Sequence, residues 1–377
     1  MQAQILNIAF LFGAGISQPA GIEKTNEITD NIIERRNEVV SGNDKPFLII
    51  EREKLKQIFR IFDTIKTDFN EFYTELKREM NYEDYYYIVD SLDEDQSLNF
   101  ENPIVTYYSR ILYQKLPDIF CGKNVGENNQ RLFNLTTMAK QYIQDHVVES
   151  LCKEPTTLDH LEFLSEAHKD NGISEINIFT LNHDIFLERF WKKKGIDYSD
   201  GFVRADNKHK VWNSASFNSR INFFKMHGSI DWYYNPSSDL YNAYYYKNIG
   251  SSREDGRPII LIGSLNKLHQ YNRSINFELQ CLFANKLESC NYVVISGYSF
   301  GDQGINTRII EWLSRSDKRK LIIIHKEEKL EELWINSRKA IKRQWKFLKN
   351  NGNLMIIPKF IEIKNRLEWK EIKNLIL

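Results

Sequence analysis

The chain has no surplus of either charge, with 51 Lys and Arg against 51 Asp and Glu. No global field therefore draws it to DNA, RNA or an anionic membrane. Its four cysteines, Cys121, Cys152, Cys281 and Cys290, contain no C-x-x-C pair. A zinc ribbon and a disulfide framework are equally unsupported, and scattered reduced thiols suggest a cytoplasmic protein. No apolar run approaches the ~20 residues of a membrane span. The apolar start, Ile5 to Phe12, lacks a basic lead-in and ends on glycine rather than on a small-residue cleavage site, so it does not read as a signal peptide. Internal repeats and low-complexity segments are absent as well.

What is there is the composition of an ordinary globular protein, 42% apolar and 27% charged over 377 residues. That length suits one large domain with an insertion, or two domains. Ile5–Phe12 reads as a buried strand and 26–36 as a helix. Residues 55–80 and 104–116 carry apolar side chains at three- and four-residue spacing, with loops at 42–46 and 122–129. Strand candidates return at 175–180, 221–226, 259–262, 292–296 and 321–324, with helices at 185–194, 274–287 and 304–313. A charged helix beyond Lys326 and one more strand at 354–363 close the chain. Strands alternating with helices predict an α/β fold, a Rossmann-like, doubly wound, mostly parallel sheet with a large helical insertion. The expected division is 1–30 and 172–325 as a nucleotide-binding core, 31–171 as a helical insertion or cap, and 326–377 as a C-terminal α/β extension.

Four short segments each follow a strand candidate: Gly13-Ala14-Gly15-Ile16-Ser17, Thr180-Leu181-Asn182-His183-Asp184, His227-Gly228 and Gly297-Tyr298-Ser299. Ligands of open α/β sheets bind beyond the carboxyl ends of the strands, so the four are expected to converge on one crevice. Gly13 and Gly15 suit a turn whose backbone N–H groups approach a phosphate, with Ser17 adding a hydroxyl. Gln18 stands where a dinucleotide fingerprint wants a small residue, and the turn reads equally as the plain closure of a strand–helix unit. Thr180, Asn182 and Asp184 alternate, so an extended backbone puts all three on one face and His183 on the other. Asn and Asp also cap helices, and capping is the alternative for that pair. His227 at a strand end suits a base toward a ribose hydroxyl, with Gly228 leaving room for a ligand. His146, His160, His168, His183, His209, His269 and His325 read as structural or exposed. The segment Gly297 to Asp302 reads as a ribose- or phosphate-holding loop or as an ordinary glycine turn.

The ordered set Gly-Ala-Gly-Ile-Ser, Thr-x-Asn-x-Asp, His-Gly and Gly-x-Ser resembles the sirtuin (silent information regulator) superfamily over about 4–30 and 172–325. His227 to Trp232 and Gly297 to Asp302 resemble its bacterial sirtuin-like branch, whose members act in antiphage defence as NAD-consuming enzymes. The resemblance implies a cytoplasmic NAD+ glycohydrolase that yields nicotinamide and ADP-ribose, a homo-oligomer, with a possible partner such as a HerA-type ATPase. It implies catalytic roles for Asn182, His227 and Asp184. Gly13, Ala14, Gly15, Ser17, Thr180, Gly297 and Ser299 would hold NAD. The four-cysteine zinc module of the deacylases is not recognisable, because Cys281 and Cys290 alone follow the histidine, so no zinc is expected. Their Pro-Asp-Phe-Arg type segment is replaced by Gly21-Ile22-Glu23-Lys24-Thr25-Asn26. A protein deacylase, an ADP-ribosyltransferase and a non-catalytic NAD or ADP-ribose sensor gating a partner are the alternatives.

Overall fold

Strand β1 (Leu6–Phe12) is buried at every residue except Asn7, which is half-buried. Such a run suits a parallel strand covered on both faces. The computed structural model describes residues 6–34, 50–96, 102–235, 244–248, 256–263, 266–325, 352–359 and 366–376. After β1 come two tight 3-10 turns, Ala14–Ile16 and Gln18–Ala20, and then α1 (Thr25–Glu34). Four helices follow: α2 (Arg52–Glu75), α3 (Tyr82–Gln96), α4 (Pro103–Lys115) and α5 (Val125–Leu151). The start of α4 is set by Asn102, whose side chain accepts from the N–H groups of Ile104 and Val105, with Pro103 next to it. Then come α6 (Glu162–Lys169), β2 (Ile173–Thr180), α7 (Phe186–Lys194), β3 (Phe202–Arg204), β4 (His209–Trp212), β5 (Ile221–Lys225), β6 (Tyr233–Asn235) and β7 (Tyr244–Asn248). The remainder is α8 (Asn266–Gln270), α9 (Ser274–Glu288), β8 (Tyr292–Ser296), α10 (Gln303–Ser314), β9 (Lys320–His325), β10 (Leu354–Pro358) and α11 (Trp369–Ile376).

Six strands form one sheet in the order β10-β9-β8-β1-β2-β5, every pairing parallel. The fold is thus Rossmann-like α/β, and β1 stands inside the sheet between β8 and β2. Alternate residues of β1 feed opposite faces. Ile8, Phe10 and Phe12 join Phe163, Leu164, Phe190, Trp191 and Trp369 on one side. Ala9 and Leu11 join Leu279, Phe283, Ile309 and Trp312 on the other. Leu158 and Leu161, ahead of β2, and Leu367 and Ile372, near the chain end, pack with the first set. The sheet's own layer therefore draws on all three expected segments. A third cluster unites α1 to α5, with Ile58, Phe62, Val89 and Ile143 at its heart. Among the described residues no helix is long and apolar enough to cross a membrane.

Three expectations change. The loop expected at 122–129 ends at Asn124, whose side chain accepts from the N–H of Glu127 and starts α5, so 125–129 are helical. Residues 259–262 form no strand and contribute a single antiparallel bridge between Ile260 and Gly228. Ile260 and Ile262 are apolar because they plug into the helical cluster. A second sheet, antiparallel in the order β3-β4-β7-β6, was not anticipated. The loop expected at 42–46 and the charged helix beyond Lys326 lie outside the described residues, as does the end of the strand expected at 354–363.

Candidate functional site

The carboxyl ends of β1, β2, β5 and β8 open on one cavity of about 520 Å³. Its wall includes Gly13, Ala14, Gly15, Ser17, Asn182, Asp184, His227, Gly297 and Ser299. Thr180 is set back: it is buried, and its hydroxyl accepts from the N–H of Asn182 at 3.1 Å. So the sequence-read segments do converge, with Thr180 behind the Asn182 loop.

The two glycine turns interlock. A Cβ on Gly13 would meet Gly297 O at 2.6 Å, and one on Gly297 would meet Ile16 N at 2.3 Å. Gly297 also has φ +66°, the left-handed region that favours glycine. The N–H of Gly13 donates to Ser296 O (3.1 Å) and that of Gly15 to Gly297 O (3.0 Å). Ile16 and Ser17 N–H turn back to Gly13 O and Ala14 O. These glycines serve backbone-to-backbone packing first, and most of the donors expected for a phosphate are already engaged. Among the described residues the N–H of Ala14 has no acceptor. His160, read from sequence as structural or exposed, is buried, and its Nε2 donates to Ile16 O at 2.8 Å, holding the same turn.

Asn182 Nδ2 donates to Ser17 Oγ (2.9 Å) and to Gly13 O (3.2 Å), and Ser17 Oγ donates to Asp184 Oδ2 (2.8 Å). The Ser17 hydrogen therefore goes to Asp184 and not into the cavity. Asp184 Oδ1 accepts from the N–H of Phe186 at the start of α7, so the capping role and a place in the cavity wall coexist in one carboxylate. Asn182 keeps Oδ1 as its remaining acceptor. The loop behind is held by Lys225, 1% exposed, whose ammonium donates to the carbonyls of Asp184 and His183 and to Glu188 Oε1. Extended alternation ends at Thr180, so His183 also faces the cavity, its ring 6.1 Å from that of His227. Burial, then His227, Lys267 and Lys225, lower its basicity well below that of ordinary imidazole.

His227 sits one residue past Met226, whose N–H bonds Thr180 O at 2.9 Å. Gly228 has φ +79°, and a Cβ there would meet Ile259 O at 2.1 Å. It makes room for that backbone rather than for a ligand. His227 Nε2 lies 2.6 Å from Tyr271 Oη and 3.0 Å from Asp302 Oδ2, and Tyr271 Oη donates to Asp302 Oδ2 at 2.5 Å. Burial alone would raise the Asp302 carboxyl, but His227, Lys267 and Tyr271 hold it well below the usual carboxylate range. Burial and Lys267 lower His227, against the opposing pull of Asp302. Burial and Asp302 keep Tyr271 protonated far above the ordinary phenol range.

The helical layer closes the cavity through Arg78, Asn81, Glu83 and Asp84. Arg78 pairs in two-pronged fashion with Asp84 (2.6 and 2.9 Å), and Glu83 bridges to Lys267 at 3.0 Å. Sequence reasoning missed Glu83, Lys267 and Tyr271, which sit in no motif; Asp302 lay in plain view at the end of the Gly297 segment. Among the described residues no group of three or more His, Cys, Asp or Glu could hold a metal ion.

Residues 176–351 match the family described as SIR2-like domain. That span carries Asn182, Asp184, His227, Gly297 and Asp302, while the Gly13–Ser17 turn lies outside it and joins through the fold. The chain is similar to a solved Sir2 homologue, a triple mutant in complex with 2′-O-acetyl ADP-ribose, at 10% identity and TM-score 0.40, over 98% of this chain and 93% of that one. It is also similar to a mutant Sir2 homologue in complex with ADP-ribose, at 11% identity and TM-score 0.35, over 92% of each chain. No curated protein matches it.

Proposed function

We propose that the chain is an NAD+ glycohydrolase that splits the nicotinamide–ribose bond with water. The observation that carries the reading is the shared cavity wall: Asn182, Asp184 and His227 stand in it together with both glycine turns. Its volume falls within the roughly 300–1,000 Å³ of small-molecule sites. Nicotinamide in NAD+ is already a cationic leaving group, so the step needs no acid. It needs a stabilised oxocarbenium-like ribose and a placed nucleophile. The C–N bond breaks and its electron pair leaves with neutral nicotinamide; water forms the new C–O bond and gives up a proton.

In this reading Asn182 Oδ1 accepts from the attacking water, since its amide hydrogens are spent on Ser17 and Gly13. His227 takes the proton from a ribose hydroxyl or from the nucleophile. Asp184 faces the developing charge or the carboxamide of nicotinamide. The Gly13–Ser17 turn and the Gly297–Ser299 loop border the pyrophosphate and the adenosine half. The setting is proposed on the sequence resemblance alone: NAD depletion in antiphage defence by a cytoplasmic homo-oligomer, with a partner such as a HerA-type ATPase.

Full-length protein incubated with NAD+ and water tests this. Nicotinamide and ADP-ribose are expected in equal amounts without any acylated peptide. Release that requires such a peptide makes it a deacylase, and tight binding without turnover makes it a sensor; either result overturns the proposal.

A further inference from the structure

Asp302, Tyr271 and His227 come from three separate elements: the start of α10, the residue after α8 and the turn after β5. All three are at least half-buried, and Tyr271 and His227 are 5% and 3% exposed. Their polar atoms meet at one point, Asp302 Oδ2, which lies 2.5 Å from Tyr271 Oη and 3.0 Å from His227 Nε2. The other oxygen, Oδ1, accepts from the N–H of Ile305 at 3.1 Å and caps α10. An ionised carboxylate only accepts. Tyr271 has one hydrogen, and it goes to Oδ2. The nitrogen of His227 that faces the same oxygen must then carry a hydrogen as well.

We propose that Asp302 and Tyr271 are positioning residues that lock His227 as the Nε2–H tautomer and thereby make Nδ1 its basic atom. The inference rests on the proposed NAD chemistry only for what the base does; the tautomer itself follows from the hydrogen bonds. A buried imidazole whose one nitrogen is tied to a carboxylate has its ring plane and its proton-accepting atom both fixed. The same carboxylate caps α10, so the Gly297–Asp302 loop and the His227 turn are mechanically joined. Other charged or titratable groups around the trio are Lys267 on α8, Glu83 on α3, His183 after β2 and Tyr298 in the loop.

The test is a two-bond nitrogen–proton correlation spectrum of the full chain labelled at histidine, run beside NAD turnover. Wild type is expected to show His227 protonated at Nε2. In Asp302→Asn the cap on Ile305 survives, but the amide now presents a donor to Nε2, so His227 is expected to switch to Nδ1–H. That variant should lose at least about tenfold in kcat with a smaller change in KM. The acid limb of its pH–rate profile should move to lower pH, because the carboxylate that favours the imidazolium is gone. Tyr271→Phe keeps the carboxylate and should keep the Nε2–H signature with only a few-fold loss. His227 found as Nδ1–H in wild type overturns the proposal. So does an Asp302→Asn spectrum with an unchanged tautomer, and if that variant fails to fold, wild type and Tyr271→Phe still decide. A wild-type chain that leaves NAD intact overturns the proposed function without touching the tautomer result.

Discussion

Ser17 and Asp184 are 167 residues apart in sequence and 2.8 Å apart at the cavity, hydroxyl to carboxylate. The Ser17 hydroxyl also accepts from Asn182 at 2.9 Å, so one buried oxygen ties the β1 turn to the loop after β2. Ser17→Ala should therefore do two things. Leaving Asp184 and Asn182 short of a partner should cost about 1–3 kcal/mol, read as a lower urea midpoint. NAD hydrolysis should fall at least about tenfold, since Asn182 loses its register. Full activity in Ser17→Ala would show that the link is structural decoration.

The interlocked glycines give a graded stability prediction. Gly297→Ala puts a methyl 2.3 Å from the Ile16 nitrogen at φ +66°, whereas Gly195→Ala, at φ +62°, meets nothing within 4 Å. Gly195→Ala should cost about 1–2 kcal/mol from the left-handed backbone alone. Gly297→Ala should cost clearly more than that, because backbone must move. Equal urea midpoints for the two variants would contradict the interlock.

Lys225 is a buried cation that serves two carbonyls and Glu188. Burial raises the carboxyl of Glu188, and Lys225 opposes that. Lys225→Met strands the carboxylate and should cost about 3–5 kcal/mol. Adding Glu188→Leu should recover a large part of it. A double variant no more stable than the single one would show that the carbonyl contacts, not the ion pair, carry the effect.

His183, His227 and His160 all bind protons more weakly in the fold than ordinary imidazole, burial being the first cause in each. Below about pH 6.5 the unfolded chain takes up protons that the folded chain resists, so stability must fall with pH there. The urea midpoint should drop between pH 7.5 and 5.5, and His183→Gln should flatten that slope. A midpoint that rises on acidification would contradict the buried, neutral histidines.

The legible parts of this fold are those whose apolar pattern matches their burial. β1, β8 and β9 are covered on both faces, so Leu6–Phe12, Tyr292–Ser296 and Lys320–His325 stand out as apolar runs. The small antiparallel sheet does not: β7 is Tyr-Tyr-Tyr-Lys-Asn and mostly half-buried, with neither alternation nor a continuous run. Ile260 and Ile262 mislead for the opposite reason, being apolar to fill the helical cluster without entering a sheet. At the site, Asn182, Asp184 and His227 were readable because they follow strands. Tyr271 follows a five-residue helix, and its meeting with His227 depends on packing that no local pattern encodes. His183 was misplaced because the alternation rule was carried three residues beyond the strand, which ends at Thr180.

The proposed cleavage of NAD at this cavity depends on Asn182 and His227. The most direct measurement compares nicotinamide release by the full-length chain with that by Asn182→Ala and His227→Ala, each with its urea midpoint determined. Turnover is expected in the parent and its loss in both variants, with cooperative unfolding retained. An undiminished rate in either folded variant would contradict that dependence.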